Sequence, residues 1–162
     1  MIAPGKLTVP ADRSFVVFLI GMRVNRWWMV PLWLPVTFAM GRMLSELMRR
    51  PDSPLLSFEN YLGRTTYCVQ YWTSVDELMA YAHDKESAHV PAWQQWARRI
   101  GLSGAVGIWH ETYVIEPGQY ECVYVNMPAF GLGKALERVP ADGPMATAQK
   151  RMAAGQRARV GG

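Results

Sequence analysis

The chain has 162 residues, 50% of them hydrophobic and 19% charged, so it can bury the core of one folded domain and is not disordered as a whole. Its 12% aromatic content, with 7 Trp, and its 10 Met suit an adaptable pocket for a hydrophobic ligand. The net charge of +4 is mild, and the basic residues form no stripe interleaved with aromatics, so we expect no nucleic-acid partner.

The first half of the chain predicts a strand, a helix and a hairpin. Residues 1–13 contain Pro4 and Pro10 and predict an extended N-terminal lead-in. The apolar run at 14–22 predicts a strand buried on both faces, in which Gly21 marks a bulge or a close approach to the backbone. After a loop, the sequence predicts a helix that begins near Pro35 and ends before 51–54, a strand at 55–62 and a strand at 65–72.

The second half predicts two helical pieces and two more strands. Thr73 or Ser74 caps the first piece, and Pro91 suits the first turn of the second. Strands follow at 104–115 and 119–126.

The predicted order is therefore strand, helix, strand, strand, helix, strand, strand. This is the split βαβ pattern of a ferredoxin-like α+β domain with an antiparallel sheet and one additional strand. We place this domain at residues 14–135. Residues 136–162 are rich in Gly, Ala and Arg and predict a flexible basic C-terminal tail.

The strand at 104–115 carries a histidine near its middle. Alternation places His110 on one face and Trp109 and Glu111 on the other. Each face mixes bulky apolar groups with one group that exchanges a proton, so we expect this strand in the middle of the sheet. His110 is either a general acid or base or a core histidine bonded to a carbonyl. Glu111 is expected to pair with one of three arginines, Arg23, Arg26 or Arg64.

Aromatic and polar side chains predict a pocket for a hydrophobic small molecule. His89 shares a predicted helical face with Trp93 and Trp96, where it either bonds a backbone carbonyl or shuttles protons beside an aromatic pocket. The residues that we expect to bind substrate are Asn25, Trp27, Trp93, Trp96, Trp109 and Asn126.

Two further features bear on the protein's location. Residues 27–41 are uncharged but shorter than the ~18–20 residues of a spanning helix, so we exclude a transmembrane span and leave contact with a membrane surface open. Cys68 and Cys122 have no CxxC partner and are expected to be small core residues in a reducing compartment. The predicted location is the cytoplasm.

His83 and His89 are six residues apart, so we expect no metal site.

Several motifs resemble a known family. The segment WTSVDELMAYAHDKESAH at 72–89 resembles the strand-to-helix signature of the dimeric α/β-barrel superfamily, which contains antibiotic-biosynthesis and haem-degrading monooxygenases. The set GMRVNRWW, LGRTTYCVQYW, HVPAW, GAVGIWHETY and NMPAFGLGKA is similar to one monooxygenase-like branch, which includes a monooxygenase of fumagillin biosynthesis. The resemblance covers residues 15–135.

This resemblance implies a homodimer whose two sheets pack face to face into a barrel, with helices outside and a pocket in each half. Cofactor-free members hold an electron-rich substrate that reacts directly with dioxygen, and haem-degrading members use a histidine on the second long helix. Our first hypothesis is a cofactor-independent monooxygenase-like enzyme that uses His110 and His89. One alternative is a haem enzyme of the same fold with His89 or His110 as the iron ligand. Another is a non-catalytic binder of apolar ligands.

Overall fold

The computed structural model describes residues 1–49, 52–83 and 103–160, which form two antiparallel sheets and several helices. The strands of the larger sheet are β2 (Phe15–Val24), β3 (Leu55–Tyr61), β4 (Thr65–Trp72) and β5 (Val106–Ile115). The smaller sheet contains β1 (Lys6–Thr8), β6 (Tyr124–Val125) and β7 (Val139–Pro140). The helices are α1 (Val30–Arg49), α2 (Val75–His83), α3 (Leu132–Ala135) and α4 (Ala148–Val160), with a 3₁₀ turn at Gly143–Met145.

The larger sheet has the strand order β3-β4-β2-β5, with every neighbouring pair antiparallel. The connection through α1 leads from the inner strand β2 to the edge strand β3, and a tight hairpin then joins β3 to its neighbour β4. This is the predicted ferredoxin-like arrangement of an α+β chain, and it is confirmed. The predicted bounds of β4 match the observed strand.

The predicted central position of the His110 strand is wrong. Within the described residues β5 pairs with β2 alone and forms an edge of the sheet, while β2 holds the centre. The residues from His110 to Val114 are accordingly exposed, although both faces of the strand were expected to be buried. The error has a physical reason: alternation tells which residues share a face, but the order of strands depends on pairing between distant segments.

Helix α1 begins five residues before the predicted start at Pro35. Both Pro31 and Pro35 fit near a helix N-terminus, where few backbone N–H groups have intrahelical partners, so the sequence alone does not choose between them. On the inner face of α1, Leu44 and Leu47 are buried against the sheet. No helix within the described ranges is long and apolar enough to cross a membrane.

The N- and C-terminal segments pack together beside the larger sheet. The predicted last strand at 119–126 is reduced to the two residues of β6, which pair with β1 rather than with the larger sheet. At the C-terminus, where we expected a flexible tail, α4 packs onto the domain. Arg151 of α4 is buried and forms an ion pair with Glu121, in which Nε and Nη2 both donate to Glu121 Oε1. It also donates a hydrogen bond from Nη1 to the Met145 carbonyl oxygen (2.8 Å).

The two cysteines are free thiols in apolar surroundings, as predicted. Cys68 is fully buried under the helices, and burial raises the pKa of its thiol to about 11. Such a thiol stays protonated at neutral pH and is a poor nucleophile. Cys122 is half-buried, and its Sγ accepts a hydrogen bond from the Val9 backbone N–H (3.4 Å).

Gly21 lies where the sheet is most crowded. A Cβ atom at this position would stand 2.7 Å from both the Thr66 carbonyl oxygen and the Tyr67 Cβ, and 2.8 Å from Trp109 Nε1. Tyr67 and Trp109 flank Gly21 in the two neighbouring strands, and their rings meet above it with centroids 6.1 Å apart. The close approach predicted at Gly21 is therefore confirmed, and glycine is required there for space.

We expect Gly21→Ala to lower the free energy of unfolding by about 1–3 kcal/mol, since the methyl group must displace backbone or aromatic neighbours. Gly41→Ala is the matched control, because Gly41 lies in exposed α1 with nothing within 4 Å of its added Cβ. That control should raise stability by about 0.5–1 kcal/mol through helix propensity. Urea unfolding measures both, and equal effects of the two substitutions would contradict the crowding at Gly21.

Candidate functional site

A cavity of about 690 Å³ opens between one end of the larger sheet and the N-terminal part of α1. Its floor is the helix-covered side of the sheet, since Met22, Val24 and Thr66 occupy matching positions on β2 and β4. The described residues that line it are Met22, Val24, Asn25, Trp27, Trp28, Trp33, Thr37, Gly63, Arg64 and Thr66. Small-molecule sites commonly have volumes of about 300–1,000 Å³, so this cavity has room for an organic ligand.

Hydrogen bonds fix the end of β2 where it enters the cavity wall. The backbone N–H of Asn25 donates to the Ala105 carbonyl oxygen (3.0 Å), and its Nδ2 donates to the Gly104 carbonyl oxygen (3.1 Å). On the other side, the Val24 N–H donates to the Arg64 carbonyl oxygen (2.9 Å). The Asn25 side chain is therefore held in one orientation, with its Oδ1 left to accept a hydrogen bond.

Three tryptophans form the aromatic part of the wall. Trp33 Nε1 donates to the Trp27 carbonyl oxygen (3.0 Å), so the first turns of α1 hold the loop that precedes the helix. Trp27 and Trp28 meet edge to face with ring centroids 6.1 Å apart. Both are largely exposed, at 72% and 62%, so the cavity is open to the surface on this side.

The polar groups of the cavity are few. Thr37 donates its hydroxyl to the Trp33 carbonyl oxygen (3.3 Å), and Arg64 donates from Nε to the Val24 carbonyl oxygen (3.4 Å). An apolar aromatic wall with a small number of fixed polar groups is the usual chemistry of a site for a hydrophobic molecule that carries one or two oxygen atoms.

His110 lies on the same side of the sheet as the cavity but outside its lining. It pairs opposite Ile20. Ile20 and Met22 are successive residues on the same face of β2, so His110 lies about 7 Å along the strand from the row of Met22. Its ring packs against Phe18 with centroids 5.8 Å apart, and the residue is exposed.

Within the described residues, Glu111 does not form the predicted ion pair with Arg23, Arg26 or Arg64. Glu111 Oε2 accepts a hydrogen bond from the Tyr113 hydroxyl (2.7 Å), and this bond raises the pKa of Tyr113 above its ordinary value. Arg23 stands opposite Gly107, about 13 Å along the strand from Glu111, and donates instead to Thr65 Oγ1. The other two candidates, Arg26 and Arg64, form no ion pair with Glu111 in the described structure.

Two residues that we expected to bind substrate lie away from the cavity. Trp109 is on the opposite face of the sheet, beside Tyr67. Asn126 follows β6 in a left-handed backbone conformation, with φ 53°, and its Oδ1 accepts a hydrogen bond from the Gly5 N–H (3.0 Å). The remaining predicted site residues, His89, Trp93 and Trp96, lie outside the described residues.

The segment at 126–135 closes over the sheet on the side opposite the cavity. Ser57 Oγ donates to the Gly131 carbonyl oxygen (3.3 Å), and the Gly131 N–H donates to Glu59 Oε1 (3.3 Å). Leu132 packs there in a small core of its own. Tyr124 accepts a hydrogen bond from the Gly133 N–H (2.9 Å), and burial is the main cause of the raised pKa of its hydroxyl.

Metal-ligating side chains do not cluster in the part of the chain that the structure describes. Of the two histidines in the described ranges, His83 bonds the Met79 carbonyl oxygen through Nδ1 (2.7 Å) on the surface of α2. Neither histidine nor cysteine is among the described residues that line the cavity, so these residues do not fit the axial ligation of haem.

Asn25 and Trp27 are the two predicted substrate-binding residues that the structure brings together in the cavity. Sequence reasoning missed Arg64 and Thr66, which come from a hairpin distant in sequence. It also missed Trp33 and Thr37, because a helix start at Pro35 leaves Trp33 in a loop. The sequence does contain a signal for these two residues: in a helix that begins at Pro31, Trp33 and Thr37 are four residues apart and lie on the same face.

Known proteins are similar to this chain both in sequence and in fold. The chain is 30% identical over 139 residues to Monooxygenase af470 of Aspergillus fumigatus, which covers 80% of this chain and 49% of that protein. It therefore spans about half the length of this relative.

Among solved structures, the fold is similar to SnoaB, a cofactor-independent oxygenase from Streptomyces nogalater. The TM-score is 0.44 at 12% identity, over 62% of this chain and 91% of that one. An asparagine-to-alanine mutant of SnoaB gives a TM-score of 0.40 at 15% identity, over 61% and 90% of the two chains. The sequence model of the Monooxygenase af470-like family matches residues 15–132. The chain belongs to the Monooxygenase af470-like family.

Proposed function

We propose that the protein is a monooxygenase-like enzyme that oxidises a hydrophobic small molecule in the cavity between α1 and the sheet. The observation that carries this proposal is the cavity itself: three tryptophans surround about 690 Å³ beside a fixed asparagine and an arginine. Membership of a monooxygenase-like family supports the reaction type.

We propose that the reaction needs no cofactor. The substrate must then supply both electrons that reduce the second oxygen atom to water, as in R₂CH₂ + O₂ → R₂C=O + H₂O. A base removes the acidic proton, which is a C–H proton of an activated CH₂ group or the O–H proton of a phenol, and the resulting anion, with its charge delocalised onto carbon, transfers an electron to dioxygen. The radical pair forms a C–O bond, and the resulting peroxide loses water. Electron-rich phenols and related ring systems suit this chemistry, because their anions are stabilised by delocalisation.

Asn25 and Arg64 would bind and orient such a substrate. Asn25 Oδ1 would accept a hydrogen bond from a substrate hydroxyl, since Nδ2 is already bonded to the Gly104 carbonyl oxygen. The Arg64 guanidinium would stabilise the negative charge that develops on a substrate oxygen. Trp27, Trp28 and Trp33 would exclude water from the apolar part of the ligand.

His110 is our candidate for the base, with His89 as the second candidate. Imidazole is the side chain most often used in general acid–base catalysis. His110 lies on the cavity side of the sheet, about 7 Å along the strand from the row of Met22, so a ligand that extends from the cavity over Ile20 would reach it.

We also propose that the protein forms a homodimer through the face of the sheet that α1 does not cover. Residues 126–135 cover only one end of that face. Further along it, Leu19, Val69 and Trp109 are half-buried and Tyr113 is 48% exposed, which leaves an apolar surface for a second sheet.

Light scattering should therefore give a mass about twice the 18.3 kDa of one chain. Tyr113→Lys should shift the equilibrium to monomer, because it places a charge in the proposed sheet-to-sheet contact. Met79→Lys is the matched control, because Met79 is similarly exposed at 44% but lies on α2. A wild-type monomer, or a dimer that both variants weaken equally, would contradict this interface.

The cavity is tested by filling it. With an electron-rich phenol as substrate, Thr37→Phe should raise KM by about tenfold or abolish dioxygen uptake, because the ring occupies space that the ligand needs. Ser45→Phe is the control, because Ser45 lies two turns further along α1 on its exposed side. Unchanged kinetics in a folded Thr37→Phe protein would place the substrate elsewhere.

The base is tested by histidine substitution. His110→Ala should lower kcat by at least about 100-fold at constant ligand affinity, whereas His83→Ala should leave kcat unchanged. Dioxygen electrode traces give kcat, and fluorescence titration gives affinity. Tight binding without turnover, unaffected by either substitution, would favour a non-catalytic binder of apolar ligands.

A further inference from the structure

The outward side of α1 is apolar where a helix on the surface of a soluble protein is normally polar. Trp27, Trp28, Val30, Leu34 and Phe38 are all exposed, and we call this set the α1 ridge. Residues 27–41 contain no charged side chain. The inner side of the same helix already packs on the sheet through Leu44 and Leu47, so the ridge is a second apolar surface and not a misplaced core face.

The ridge is large for a surface feature. Phe38 is 64% exposed, in addition to the exposed Trp27 and Trp28. Because an aromatic side chain has about 200 Å² of surface, these three residues alone expose on the order of 400 Å². The largest apolar patch on a typical soluble monomer is about 300–600 Å² and is often functional, so the ridge has the size of a functional surface.

The charges around the ridge are mainly positive. Between residues 24 and 49 there are three arginines, Arg26, Arg42 and Arg49, against one acidic residue, Glu46. Arg42 follows Phe38 by one helical turn and is exposed, and Arg26 directly precedes Trp27. Arg64 adds a further cation at the cavity wall beside Trp27 and Trp28.

We propose that the α1 ridge docks on an anionic lipid surface. The ridge runs about 12 Å along α1 between Val30 and Phe38 and is flanked by arginines, so it suits shallow insertion between anionic headgroups. Tryptophan is enriched where water meets hydrocarbon, and the flanking arginines match lipid phosphates. The Trp33 bond to the Trp27 carbonyl oxygen fixes the tip of the ridge before it binds.

This docking would turn the open side of the cavity toward the membrane, since Trp27 and Trp28 belong to both the cavity wall and the ridge. The lipid inference does not depend on the proposed oxidation, because it rests on exposure and charge alone. Its test needs no substrate, so the two proposals can fail separately.

The test is co-sedimentation of the full chain with vesicles. Vesicles of phosphatidylcholine with one quarter phosphatidylglycerol should pellet the protein, and pure phosphatidylcholine or added salt should weaken partitioning by at least about tenfold. Phe38→Ser should weaken it by about tenfold as well, because partitioning scales with the apolar area inserted. Val125→Ser is the matched control: Val125 is 56% exposed but lies in β6, and its loss should have no effect.

Three results would overturn the proposal. The wild-type protein would stay in the supernatant with anionic vesicles, or Phe38→Ser and Val125→Ser would behave alike. Alternatively, light scattering without lipid would show self-association that Phe38→Ser abolishes, which would assign the ridge to a second copy of the chain. Circular dichroism of each variant confirms that it is folded.

Discussion

The position of β2 between β4 and β5 decides what every side chain of the larger sheet can do. All ten of its residues pair with β5 and eight of them also pair with β4, so the alternation of β2 side chains between the two faces sets the alternation in both neighbouring strands. Ile20 lies between Cys68 and His110 on the helix-covered face, and Gly21 lies between Tyr67 and Trp109 on the other. A register slip of one residue would exchange the two faces, placing glycine beneath the helices and isoleucine beneath the rings of Tyr67 and Trp109.

The same pairing fixes the cavity. Backbone hydrogen bonds to Ala105 and Arg64 hold the chain at the end of β2, so Asn25 leaves the sheet in a defined direction and the tryptophan loop follows from there. The walls then come from three separate segments: the loop and first turns of α1, the end of β2, and the β3–β4 hairpin. Binding residues on short connections between rigid elements are held by the elements on either side.

Much of the fold could be predicted because its signals are local. Alternating β-branched and aromatic residues predicted the bounds of β4, and Pro35 predicted a start of α1 five residues after the observed one. The edge position of β5 could not be predicted in this way, since an apolar edge strand and an apolar central strand have the same pattern. The short strands β1 and β7 were also missed, because a strand of two or three residues leaves no periodicity to detect, and β6 was predicted as part of a longer strand.

In the candidate site, too, the residues with local sequence signals were predicted and those that depend on tertiary pairing were not. Asn25 and Trp27 were predicted because they directly follow a buried strand, where a chain leaves the core. Arg64 and Thr66 were not, because only tertiary pairing brings the hairpin to β2. Trp109 was predicted to bind substrate, but it lies on the face of the sheet opposite the cavity. Alternation correctly separated Trp109 from His110, but it did not indicate which face the helices cover.

The packing of α4 has a consequence for how the protein can be truncated. A Cβ at Gly155 would stand 2.6 Å from Ala11, and one at Gly118 would stand 2.7 Å from the Gln156 backbone nitrogen. Three distant parts of the polypeptide thus meet with only hydrogen atoms between them. Deleting the last helix to obtain a minimal fragment would leave a gap against the first residues and the β5–β6 turn, so truncation boundaries chosen from family coverage alone would cut into the folded unit.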